Sequence, residues 1–70
     1  MNQKFYVNKK ERVEVVVTES EYFGLHAQVR RHGILGYEGY VSEALVAKAI
    51  EKLELVEVSE DEAIRVGRYY

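Results

Sequence analysis

No cysteine occurs anywhere in the seventy residues, and that absence constrains the fold more than any motif does. A domain this short often relies on disulfides or a bound metal to stay folded. Without thiols, neither a disulfide nor a thiolate zinc site can form. The fold must then come from apolar burial and local propensity, with self-association into a homodimer as a further source of burial. Apolar residues make up 47% of the chain, enough for one compact core. The expected organisation is a single domain over residues 1–70.

Charge narrows the function classes. Ten Lys and Arg residues face twelve Asp and Glu, for a net charge of -2. Strong nonspecific nucleic-acid binding normally needs a clear basic excess, so only a local basic patch could support it. Charged residues reach 31% and proline is absent; with few Asn and Gln, this is a thermophile-like composition. No apolar run has the length of a membrane span. The start, Met1-Asn2-Gln3-Lys4-Phe5, lacks the apolar stretch of a signal peptide. A cytoplasmic location is the expectation, in a cell or in the host of a virus.

Residues Lys4 to Val7 and Arg12 to Thr18 read as two strands of an N-terminal hairpin, joined by the polar Asn8-Lys9-Lys10-Glu11. Val13, Val15 and Val17 share one face; Glu14, Val16 and Thr18 share the other. Ser20 to His32 has two readings. Ser20, the early Glu21, the late Arg30, Arg31 and His32, and the following Gly33 match helix end signals. Leu25, Ala27 and Val29 alternate with His26, Gln28 and Arg30, as in a strand. The helix is taken because its end signals agree; the strand would give an SH3-like small barrel with one helix. Gly33 to Val41 reads as a glycine loop, with an extended piece at Tyr37 to Val41.

Ser42 to Leu53 carries the clearest helix signal. Ser42 is a good N-cap, and Leu45, Val46, Ala49, Ile50 and Leu53 form an apolar stripe. The tail reads as a C-terminal hairpin, with Ser59-Glu60-Asp61-Glu62 as its acidic turn. The fold class is therefore α+β: a hairpin, one or two helices (20–32 and 42–53), and a second hairpin. One antiparallel sheet with the helices on one face is expected. The expected core is Phe5, Val7, Val13, Val15, Val17, Leu25, Val29, Leu45, Ala49, Ile50, Leu53, Val56, Ile64 and Val66.

Chemistry-bearing patterns are sparse. Ser20 and Ser42 look like caps, and no serine, base and acid form a recognisable triad. His26 and His32 lack metal-ligand spacing, and the acidic run lacks the spacing of a calcium loop. No cofactor, metal or catalytic residue is assigned, and the chain is expected not to be an enzyme. Gly33-Ile34-Leu35-Gly36 matches the GxxG of a KH domain, but its inner residues are apolar where phosphate contact favours basic ones.

Tyr40 to Val56 resembles the recognition helix and first wing strand of winged-helix regulators. That resemblance implies a nucleic-acid-binding module or small transcriptional regulator, using Arg30, Arg31, Lys48, Lys52, Arg65 and Arg68. Glu43 and Glu51 on the exposed helix face count against it. The alternative is a protein-interaction module, such as an adaptor or a small viral or phage inhibitor of a host enzyme. It would use Tyr37, Tyr40, Tyr69 and Tyr70. The partner is thus nucleic acid or protein, with no membrane and no small-molecule cofactor.

Overall fold

The structure, a computed structural model, describes residues 2–68. Four strands follow one another as a meander: β1 (Gln3–Asn8), β2 (Val13–Ser20), β3 (Gly24–Arg31) and β4 (Ile34–Val41). Then come α1 (Glu43–Lys52), the short β5 (Val56–Val58) and α2 (Glu60–Arg68). The strands make one five-stranded sheet in the order β4-β3-β2-β1-β5, antiparallel throughout. The fold is α+β.

β2 occupies the centre, and its valines explain why. Val13, Val15 and Val17 are buried on one face with Leu55; Tyr6, Leu25, Val29, Val46, Ile50 and Leu53 pack around them. This is the face that α1 covers. Glu14 and Val16 point the opposite way and are also buried. There α2 lies against the sheet, with Gly67 directly over Glu14. The helices therefore sit on opposite faces, not together on one, and β2 is covered on both sides.

The segment taken as a helix over 20–32 is a turn followed by strand β3. Ser20 does accept a hydrogen bond, at 3.2 Å from the Phe23 amide, but it closes a hairpin turn. Gly33 also ends an element, though not a helix. His32 (φ 52) and Gly33 (φ 81) both lie in the left-handed region, with Arg31 paired to Ile34. Two positive φ values in a two-residue loop are the requirement of a type I′ hairpin turn. Gly33 to Val41 is therefore largely strand β4 rather than a loop. The winged-helix arrangement needed a helix over 20–32 and a hairpin after Leu53, and neither is found.

α1 matches its expectation closely. Ser42 Oγ accepts from the Leu45 amide at 3.1 Å. The helix closes with the Leu55 amide on the Ile50 carbonyl at 2.9 Å and the Glu54 amide on that of Glu51 at 3.3 Å. That pair of bonds is a Schellman motif, which prefers glycine at its left-handed residue. Here that residue is Glu54, with φ 53. A left-handed conformation costs a non-glycine residue about 1 kcal/mol. Glu54→Gly is expected to raise stability by about that amount, read as a higher urea midpoint; a lower midpoint would contradict the cap assignment.

The tail is the main correction. In place of a hairpin it forms β5 and α2. Ser59 Oγ accepts from the Glu62 amide at 3.3 Å, so the acidic run is the first turn of a helix. Carboxylates there complement the helix dipole. Of the expected core residues, Leu45 and Val56 are exposed. Val16, Ala27, Leu55 and Ala63 are buried in addition to those expected.

Candidate functional site

Two surfaces stand out, and strand β4 separates them. β4 ends the sheet, so one side of its backbone faces no other strand among the described residues. An unpaired edge strand offers N–H and C=O groups to any extended chain. Its side chains Ile34, Leu35, Tyr37 and Tyr40 are exposed large hydrophobics. Glu38 is the only charged residue in its ILGYEGYV sequence.

On the α1 face, Tyr37 pairs across from Val29 and its ring lies over Gly39; a Cβ there would sit 3.1 Å from the Tyr37 hydroxyl. A cleft of about 230 Å³ opens between α1 and the sheet, lined by Tyr37, Val41, Leu45, Val46, Ile50 and other apolar residues. Leu45 remains 50% exposed at its margin. α1 thus shields the β2 end of this face and leaves the β4 end open.

On the α2 face, Tyr40 pairs across from His26. The His26 and Tyr40 rings meet edge-on with centroids 5.2 Å apart. Phe23, from the β2–β3 turn, approaches Tyr40 from another side at 5.8 Å and is itself 70% exposed. Glu38 accepts from the Gln28 side-chain Nε2 at 2.9 Å and lies 3.6 Å from His26 Nε2.

The six basic residues picked from sequence do not form one free patch. Arg68 donates Nε and Nη2 to the two carboxylate oxygens of Glu14 at 3.4 and 3.3 Å. Arg30 Nη1 lies 3.9 Å from the same carboxylate. Arg65 sits 3.6 Å from Glu62. Lys48 and Lys52 are exposed on α1, across the sheet from Arg65 and Arg68 on α2. Arg31 neighbours Arg30 in β3, and its side chain alternates to the opposite face.

Of the tyrosines, Tyr37 and Tyr40 are exposed on β4, as the protein-binding reading requires. Tyr69 and Tyr70 lie outside the described residues. Neither Phe23 nor Glu38 was picked from sequence. Their signal is weak: a lone Phe in a turn, and one carboxylate in a strand taken for a loop.

No family model, curated protein or solved structure matches this chain. Among the described residues, no three or more His, Asp or Glu residues are grouped to hold a metal ion. No helix there is long and apolar enough to cross a membrane.

Glu62 is held below its ordinary value, first by the hydrogen bond from Lys9 and then by the Lys9 charge; desolvation opposes them, and the Arg65 charge adds the least. Lys9 Nζ sits 3.0 Å from its carboxylate. A depressed carboxylate stabilises the fold above its unfolded pKa, and that contribution is lost as pH falls through the folded one.

Proposed function

We propose that this protein is a non-enzymatic protein-binding module whose docking surface is the exposed edge and flanks of β4. The observation that carries this reading is an edge strand with Ile34, Leu35, Tyr37 and Tyr40 all exposed. An extended partner segment can add to such an edge through main-chain hydrogen bonds, while flanking pockets select its side chains. Tyr37 and Tyr40 supply large contact area at low entropic cost.

The nucleic-acid reading has less to draw on. Arg30 and Arg68 converge on a buried carboxylate, and the remaining bases are spread over both faces. A groove for nucleic acid works by neutralising successive phosphates with contiguous positive charge.

The test is position-specific photo-crosslinking in cells. A benzophenone-bearing residue replaces Tyr37, Tyr40 or Lys48 in turn. The expected result is one discrete protein adduct from positions 37 and 40 and none from 48. A crosslink to a second copy would make the chain its own partner through this surface. Equal crosslinking from 48, or crosslinks to nucleic acid, would overturn the reading.

A further inference from the structure

We propose that the segment docking beside β4 is basic, with the sheet surface around Tyr40 receiving an arginine or lysine side chain of an extended peptide. This rests on the protein-binding reading and names the chemistry of the partner.

The surface begins with a cross-strand row. Gln3 pairs with Thr18, Thr18 with His26, and His26 with Tyr40. α2 lies over the Glu14 end of this face. The row lines an open groove of about 460 Å³ together with Ser20 and Gln28. Tyr40 is flanked by Phe23 and His26, and Glu38 follows in the next row, 46% exposed in its side chain. A ring face carries negative quadrupole density, so exposed aromatic rings beside a carboxylate attract a guanidinium or ammonium group.

A second groove, of about 710 Å³, shares Ser20 with the first and is lined by Glu19, Glu21 and Glu43 among others. Among the described residues, neither groove is lined by a lysine or arginine.

Exposed rings on a sheet are also how single-stranded nucleic acids stack their bases. Charge decides between the two. Bases arrive with phosphates, and phosphates need cations nearby, whereas Glu38 stands on this face and Glu21 in the turn at its rim; Glu19 and Glu43 lie toward the α1 face, beside Lys4. A cationic peptide gains from the same carboxylates.

The test is a titration of isotope-labelled protein followed by amide chemical shifts. The probes are the peptide Gly-Arg-Gly-Arg-Gly, its glutamate counterpart, and oligothymidylate. The arginine peptide is expected to shift the amides of Phe23, His26, Glu38 and Tyr40, and the other two to leave them unmoved. Glu38→Gln and Tyr40→Leu each should weaken the arginine peptide by about fivefold. Both side chains are exposed, and the spectrum itself reports that each variant is folded. No shifts with the arginine peptide, shifts confined elsewhere, or preference for oligothymidylate would overturn the proposal. Crosslinking at Tyr37 and Tyr40 does not depend on the charge of the partner. Crosslinks without arginine-peptide binding would therefore sink this inference and leave the broader reading standing.

Discussion

Gly67→Ala should lower the stability of this protein by about 2 kcal/mol, although alanine is the better helix former. In an exposed helix the change would be worth about 1 kcal/mol in the favourable direction. Here a Cβ on residue 67 would overlap the Glu14 Cβ, with Oε1 at 2.5 Å and Cδ at 2.9 Å. Glu14 cannot yield, because it stands on the central strand and is fully buried. Helix α2 would have to lift off the sheet, and overpacking of this kind costs about 3 kcal/mol. Urea unfolding checks the balance. With a slope of about 1 kcal/mol per molar, the midpoint should fall by about 2 M. An unchanged or higher midpoint would mean that α2 does not approach β2 closely.

Glu14→Ala should cost more, about 3 kcal/mol. The Glu14 carboxylate is 0% exposed and holds Arg68 through two hydrogen bonds. Arg30 Nη1 is buried without a hydrogen-bond partner among the described residues and has this carboxylate 3.9 Å away. Removing the carboxylate takes the opposing charge away from the buried Nη1 of Arg30, whose side chain is otherwise 22% exposed, and breaking a buried pair typically costs about 3–5 kcal/mol. The lower end applies because Arg68 ends α2 and can swing into water.

Arg68→Ala should cost less, about 2 kcal/mol, since Arg30 still faces the carboxylate. The double variant should lose clearly less than the sum of the single losses. Denaturant unfolding of the three proteins decides this. Additive losses would mean that Glu14 and Arg68 do not interact.

The same ion cluster shows where sequence reasoning stops. The alternation of Val13, Val15 and Val17 marked β2 and its core face, and the Leu45 to Leu53 stripe with its Ser42 cap marked α1. For Glu14 the alternation gives only the face opposite those valines, because its partner Arg68 is 54 residues away. Nothing local announces such a pair.

Segment 20–41 departs from its expected helix and loop for a different reason. Ser20 and Gly33 are end signals for turns as well as helices, and the I′ turn at His32-Gly33 uses the same residue that a helix terminus would. The strand alternation of Leu25, Ala27 and Val29 was the better guide. For α2 the signal was present and was passed over. Ser59 followed three residues later by Glu62 is a capping-box pattern, and Ala63 and Gly67, four apart, mark a helix face that packs closely.

The β4 surface follows the same division. Tyr37 and Tyr40 were visible as tyrosines in a glycine-rich segment, where use in the core or at its rim competes with use as contact residues. That they flank an unpaired edge depends on β3 being a strand, which sequence left open.

Residue-resolved amide exchange in the free protein tests the central claim most directly. In an edge strand, successive residues alternate between amides bonded to the neighbouring strand and amides facing solvent. Residues 25–31, paired on both sides, should be protected at nearly every amide, whereas residues 37–41 should show protection at alternate positions only. Uniform protection along 37–41, or sequential helical contacts through 20–32, would contradict the account.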